Sequence, residues 1–127
     1  MLQVLRGDST TEMELSGTRS ELRALSRSLR NEQGGCGFFE NRAPFPYSRS
    51  LSGLEFRETS EDVVCIAADG PSLKIHGGRM ALDLLAENIE GFASEADHSD
   101  HLHIEYFPGH DYLSQDSEPL VIAIYGD

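Results

Sequence analysis

The feature that most constrains the fold of this 127-residue chain is an internal repeat with a spacing of 60 positions. The segments 17–25 and 77–85 share their glycine, their arginine and two leucines at matching positions. In both copies an alternating apolar segment precedes the glycine, and apolar residues at helical spacing follow it. The repeat therefore predicts two strand–strand–helix units plus a C-terminal strand pair. We expect an α+β fold in which a mostly antiparallel sheet carries two helices on one face.

Local signals set the expected bounds of these elements. A T-x-x-E capping box that begins at Thr18 predicts a first helix over about residues 19–31. The second helix begins after Gly78 and keeps an apolar face as far as Ala93. Glycine, proline and serine are frequent in residues 32–53, which are therefore interpreted as one long loop. The strands are expected at about residues 2–5, 12–15, 54–58, 62–68, 72–76, 101–107 and 120–125.

The two predicted helices carry opposite charges. Four arginines recur at helical spacing on the first helix, and three acidic residues recur on the second. If the helices lie side by side, these two stripes can form ion pairs; a solvated face and a partner-binding surface on the arginine side are the alternatives. The arginines are Arg19, Arg23, Arg27 and Arg30, and the acids are Asp83, Glu87 and Glu90.

Length and apolar content indicate one domain over residues 1–127, and the scarcity of cysteines indicates the cytoplasm. The longest apolar run, from Val63 to Ala68, has six residues, whereas a membrane span needs about 20. The N-terminus shows no basic stretch followed by an apolar one, so we expect no signal peptide. Two cysteines, Cys36 and Cys65, do not make a disulfide framework, and free thiols are expected.

The formal charge of −12 is distributed unevenly along the chain. Residues 1–60 hold eight arginines and eight acidic residues, whereas residues 61–127 hold Lys74 and Arg79 against fourteen acids. Such a charge repels nucleic acid and anionic membranes, so neither is expected as a partner. The asymmetry indicates an interaction surface that suits a basic partner. A solvated acidic face without a partner is the alternative.

The candidates for contact with such a partner are acids and tyrosines around the predicted strand 101–107 and the loop that follows it. Aromatic residues beside carboxylates on an ordered loop are typical of protein-contact surfaces. In the alternative interpretation the loop is a polar connector, and Tyr112 and Leu113 fold back on the core. The candidates are Asp97, Asp100, Glu105, Tyr106, Asp111, Tyr112, Asp116 and Glu118.

A metal site is the rival interpretation of the same region. His101, His103 and Glu105 would share one face of a strand, and two imidazoles with a carboxylate suit zinc or iron. The rival function is therefore a metal-dependent hydrolase or a metal-binding protein, and a half-exposed polar strand face is the simpler explanation. The chain has no phosphate-binding loop, no dinucleotide-binding glycine motif and no C-x-x-C pair. We therefore expect no enzyme and no cofactor.

The C-terminal region also resembles a known family. The segment from His101 to His110, followed by Tyr112-Leu113 and by residues 117–122, is similar to the C-terminal signature of the bacterial immunity protein family numbered thirty-two. The resemblance covers about residues 62–125. It implies a cytoplasmic, non-enzymatic protein of a polymorphic toxin or contact-dependent competition system, which binds a cognate toxin domain and blocks it. It brings no catalytic residues, and it leaves the identity of the toxin and the oligomeric state open.

Overall fold

The computed structural model describes residues 1–126, which form two helices and nine strands in two mixed sheets. The predicted α+β class is confirmed. No helix in this part of the chain is long and apolar enough to cross a membrane. In chain order the elements are β1 (Gln3–Arg6), β2 (Met13–Gly17), α1 (Arg19–Ser28), β3 (Gln33–Gly37), β4 (Arg49–Ser50), β5 (Gly53–Glu58), β6 (Val64–Asp69), β7 (Ser72–Gly77), α2 (Arg79–Glu95), β8 (His101–Ile104) and β9 (Leu120–Ile124).

The strands divide into two sheets, and the single sheet that the repeat predicted is wrong. The first sheet has the order β4-β1-β2-β9-β8, and the second has the order β3-β5-β7-β6. In each sheet one inner pair is parallel, β2 with β9 and β5 with β7, and the remaining pairs are antiparallel. The expected C-terminal strand pair is present as the antiparallel pair of β8 and β9.

The two sheets arise because the last two strands of each unit join the sheet that contains the hairpin of the other unit. The first unit runs β1–β2–α1–β3–β5 and the second β6–β7–α2–β8–β9, with β4 added in the first. The second hairpin strand of each unit pairs in parallel with the last strand of the other unit. Residues at matching positions of the repeat face corresponding leucines in these two pairs. Met13 faces Leu120, and Leu73, its counterpart in the repeat, faces Leu54. The repeat is therefore a feature of the architecture, and each hairpin belongs to a separate sheet.

The two helices pack against each other in opposite directions, and the arginine shared by the repeat begins each of them. Arg19 Nη1 donates to the carbonyl of Ala93 at 3.0 Å, near the end of α2. Arg79 Nη1 and Nη2 donate to the carbonyls of Asn31 and Leu29 at 3.1 and 2.5 Å, just after α1. A cation near a helix C-terminus stabilises it by about 0.3–1 kcal/mol. Each helix thus supplies a cap for the end of the other.

The predicted charge stripes pair only in part. Arg30 lies 3.9 Å from Asp83 and 3.7 Å from Glu90, which joins the two helices. Within residues 1–126, Arg23 and Arg27 form no ion pair. Since the Arg30 side chain is 44% exposed, these pairs contribute at most about 1 kcal/mol each.

The segment 32–53 is not the single long loop that its composition suggested, because it contains β3 and β4. A Cβ atom on Gly34 would lie 2.7 Å from the ring of Phe56. A Cβ atom on Gly35 would lie 2.3 Å from the carbonyl oxygen of Leu54. Glycine therefore allows β3 to approach β5, and the same glycines remove the alternating side chains by which a strand is recognised in a sequence.

Both sheets and both helices contribute to one hydrophobic cluster. Leu22 and Leu82, which occupy matching positions in the repeat, are both fully buried. The helix faces that the sequence predicted are those that face this cluster. Other fully buried members include Met13, Leu15, Leu29, Leu51, Ile66, Leu73, Leu85, Ile89, Leu113 and Ile122.

Candidate functional site

The predicted contact residues lie along a stretch of chain that touches both sheets. β8 forms one edge of the first sheet, and residues 112–118 then follow the edge strand β6 of the second sheet. Val64 N donates to the Tyr112 carbonyl and Ser114 N donates to the Val64 carbonyl, each at 2.8 Å. Glu118 N donates to the carbonyl of Ile66 at 2.7 Å. These backbone bonds order the loop between β8 and β9 and cover one edge of the second sheet.

Glu118, predicted as a contact residue, is held inside the fold. Arg6 Nη2 donates to its Oε2 at 2.5 Å, and Ala68 N donates to its Oε1 at 2.7 Å. The two charged side chains are 12% and 19% exposed. Because Arg6 ends β1 and Ala68 lies in β6, Glu118 ties the first sheet to the second. Its carboxylate is occupied within the protein and does not enter the contact surface proposed below.

Tyr112 also belongs to the interior, as the alternative interpretation of its loop expected. It is 6% exposed, and its hydroxyl accepts a hydrogen bond from Asn88 Nδ2 at 2.8 Å. Burial raises the pKa of Tyr112, and the charge of Asp111 acts in the same direction. The imidazole of His110 packs edge-on against the Tyr112 ring, with ring centroids 4.7 Å apart. Tyr112 therefore anchors the loop to α2.

The remaining predicted acids are exposed. Together with four acids that were not among the candidate contact residues, they form a group of nine in the second half of the chain. All nine are exposed, and none has a cationic partner within residues 1–126. The negative potential of this half of the chain is therefore left uncompensated. The nine are Asp62, Asp69, Glu87, Glu95, Asp97, Asp100, Glu105, Asp111 and Asp116.

A tight turn holds two of these carboxylates at the start of β8. Asp97 N donates to Asp100 Oδ2 at 2.9 Å. Ser99 donates from its backbone N and its hydroxyl to Asp97 Oδ1, at 2.8 and 2.6 Å. The hydrogen bonds from Ser99 lower the pKa of Asp97. Both groups thus remain at fixed positions on the surface, and Asp97 stays ionised further into acid than an ordinary aspartate.

An exposed phenylalanine and a groove lie near these acids, and neither was among the predicted contact features. Phe107 is 59% exposed on the loop after β8 and contacts the ring of His110, whereas Tyr106 is half-buried against the core. A shallow, open groove of about 440 Å³ lies between α2 and β8, with Gly91, Glu95, Asp100 and Leu102 in its lining. A glycine inside a helical pattern was the only sequence signal for this groove.

The structure does not support the rival interpretation of His101, His103 and Glu105 as a metal site. No group of three or more histidine, cysteine, aspartate or glutamate side chains in the described part of the chain is placed to hold a metal ion. The strand ends at Ile104, so the alternation that would have put Glu105 on the face of the two histidines stops before it. Both cysteines are free thiols, as expected.

Comparison with known proteins yields one family. The model of the family described as Immunity protein 32 matches residues 72–124. No curated protein and no solved structure matches the chain. The matched segment runs from β7 through α2 and β8 to β9, so it contains the groove and seven of the nine unpaired acids. The match confirms that this C-terminal part of the chain is similar to the Immunity protein 32 family, as the resemblance in the sequence indicated.

Proposed function

We propose that this chain is an immunity protein that binds and neutralises a cognate bacterial toxin domain through the acidic surface of its C-terminal half. The observation that carries the proposal is a coincidence of two features in residues 72–124. This segment matches the immunity family, and it also holds most of the exposed acids without cationic partners. The protein acts by occupying its partner and performs no chemistry of its own.

The chemistry of the surface specifies a basic partner. Carboxylates that have no cationic partner among residues 1–126 are available for arginine and lysine side chains of another chain. Their summed potential attracts a basic protein over distances of about a Debye length and accelerates association. A toxin that acts on nucleic acid is basic where it binds its substrate, so the same surface can cover that site. The proposal places the encounter in the cytoplasm, and it excludes nucleic acid and membranes as partners because both are polyanions.

A co-expression rescue tests the proposed function. The gene beside the one for this chain is expressed in a bacterium, and survivors are counted with and without this protein. Toxicity that this protein relieves, together with a stable complex on gel filtration, is the expected result. Toxicity that persists while both proteins are present in the soluble fraction would overturn the immunity function.

Charge reversal at matched positions tests the acidic surface. Glu105, Asp111 and Asp116 become lysine in one variant; a control variant carries the same change at Glu32, Glu40 and Glu55, which lie in the first half of the chain. All six side chains are exposed, and both variants move the formal charge from −12 to −6. We expect the first variant to bind the neighbouring toxin at least about tenfold more slowly at low salt, and the control to change little. Equal effects in the two variants would show that only net charge matters and would refute the site.

A further inference from the structure

β8 leaves one edge of the first sheet open. It pairs with β9 on one side only, and within residues 1–126 no backbone group of His101–Ile104 bonds to any other segment. The backbone N–H and C=O groups on the outer side of an edge strand pair readily with an extended peptide. In contrast, the loop before β9 covers the β6 edge of the second sheet.

The groove beside β8 gives such a peptide a place for side chains. A Cβ atom built on Gly91 in α2 meets nothing within 4 Å, so this helix surface is open. Half-buried Phe92 and Leu102 line the groove, and Glu95 and Asp100 also lie in its lining. Successive side chains of an added strand point to opposite faces of the sheet, so every second one can face the α2 side. The groove is therefore suited to aliphatic and basic side chains.

The charges around β8 indicate what kind of segment can bind at this edge. Asp97 and Asp100 precede β8 and Glu105 follows it, so the four-residue strand has exposed carboxylates at both ends. Its length is roughly 13 Å, which matches basic residues spaced about four or five apart in an extended peptide. A second copy of this chain would bring the same carboxylates together, and repulsion disfavours it. A basic extended segment of another protein is the occupant that this edge accepts.

The matching edge in the other unit provides an internal comparison. β3 is also open along its outer side, and it occupies the position in the second sheet that β8 occupies in the first. Its side chains are those of Gln33, Cys36 and three glycines, and opposite Gln33 lies the cationic Arg57 of β5. β3 therefore offers the same backbone groups, but a carboxylate, that of Glu32, adjoins it at one end only, and this end lies beside the cationic Arg57.

We propose that the toxin docks by adding an extended basic segment to the β8 edge, as a further strand of the first sheet, with side chains in the groove between α2 and β8. This rests on the proposed function and specifies how that function is carried out. The acids around β8 then neutralise the basic residues of the added strand, and backbone hydrogen bonds fix its register.

Hydrogen–deuterium exchange on the complex with the toxin from the neighbouring gene tests this docking directly. We expect the amides of residues 101–104 to exchange at least about tenfold more slowly in the complex, while residues 33–37 keep their rates. A stable complex without slowing at 101–104, or with slowing at 33–37 instead, would overturn the docking mode and leave the immunity function intact. Failure of rescue and of complex formation would overturn both proposals.

A pair of variants at Gly91 tests the groove. Gly91→Ala adds only a Cβ atom in open space and serves as the control, whereas Gly91→Gln extends a neutral side chain into the groove. We expect both to unfold at or above the wild-type temperature, and Gly91→Gln alone to bind the toxin at least tenfold more weakly. Equal affinity of the two variants would refute use of the groove. A concentration-dependent dimer that protects residues 101–104 without toxin would show that a second copy is the occupant, against the proposal.

Discussion

The two units of the repeat share one plan and differ in what they expose. Each runs through a hairpin, a helix and two closing strands, and the strand registers correspond between them. Yet residues 1–60 carry no net charge, whereas residues 61–127 carry the whole formal charge of −12. The apolar positions that build the common core are therefore shared, and surface positions are free to diverge. We therefore expect the functional surface in the second unit, where the charge differs from that of the first.

The helix starts show the same contrast at the level of single residues. α1 begins with a capping box in which Thr18 and Glu21 each accept a hydrogen bond from the backbone N–H of the other. α2 begins at Gly78, which has no side chain to form a cap. A Cβ atom on Gly78 would lie 1.9 Å from the carbonyl oxygen of Glu61. Close packing at Gly78 therefore leaves no room for a capping side chain, so α2 lacks the capping box that marks the start of α1.

Truncation of matching core residues tests whether the two units contribute equally to the core, and it should lower stability more than the other changes considered. Leu22→Ala and Leu82→Ala remove matching, fully buried side chains. Each should lower the free energy of unfolding by about 3 kcal/mol, because a cavity remains in a packed interior. Urea unfolding followed by circular dichroism measures both losses. A loss in one variant several times that in the other, or a transition in two steps, would break the equivalence of the units.

The next effect concerns the link between the two sheets. Glu118→Gln keeps an oxygen for Ala68 N but leaves the guanidinium of Arg6 without its carboxylate. We expect a loss of about 2–3 kcal/mol in the free energy of unfolding, since both charged groups are largely buried. Asp116→Asn, at an exposed acid two residues away, is the control and should change stability by less than about 0.5 kcal/mol. Equal stability of the two variants would mean that the pair does not join the sheets.

A third test sharpens the comparison of the helix starts. Gly78→Ser introduces a favourable N-cap residue, yet it should destabilise the protein by about 1–3 kcal/mol because of the contact with the Glu61 carbonyl. Thr18→Ala, at the matching position of α1, should cost about 1 kcal/mol through loss of the cap. Thermal unfolding measures both variants. A Gly78→Ser protein more stable than the wild type would contradict the close approach.

The smallest effect depends on pH and belongs to the first unit. Burial alone would raise the pKa of Glu21, but hydrogen bonds and charge from the N-terminal ammonium and Thr18 outweigh it and lower the pKa below its usual 4.5. A carboxyl with a lower pKa in the folded state stabilises above its unfolded pKa, and this contribution disappears as the pH falls through the folded pKa.

Glu21→Gln should therefore reduce stability by less than about 1 kcal/mol near neutral pH, and the difference from the wild type should shrink below about pH 4.5. Unfolding in urea at a series of pH values measures this. Glu87→Gln is the control, at an exposed acid of α2 that has no cationic partner in the described part of the chain, and its stability should run parallel to that of the wild type. A difference that grows on acidification would contradict the lowered pKa.

Much of the fold was predictable because its signals are local. Both helices, six of the seven expected strands to within a few residues and the free state of the cysteines follow from spacing and composition. The seventh strand begins at His101 as expected but ends at Ile104, three residues early. β3 was not predictable, because its glycines carry no alternating pattern and are explained only by the side chain of Phe56 and the carbonyl of Leu54.

The candidate site was predictable in its location but not in its details. The charge asymmetry and the family resemblance both identified the C-terminal half. Local sequence could not show that Glu118 is held within the fold while Asp116, two positions before it, is exposed. The difference arises because Arg6, 112 positions away in sequence, binds Glu118. Nor could it separate the buried Tyr112 from the exposed Phe107 on the same loop.

Residue order alone is enough to establish the repeat, the apolar faces of both helices, the excess of charge in the second half and the family resemblance. These are properties of residue spacing and residue type, which no partner in space can alter. Only contacts in the folded protein determine that the strands form two sheets, that Arg6 pairs with Glu118, and that β8 remains an open edge beside a groove. Each of these depends on contacts between segments distant in the chain, where backbone hydrogen bonds and packing choose among neighbours that local pattern leaves equivalent.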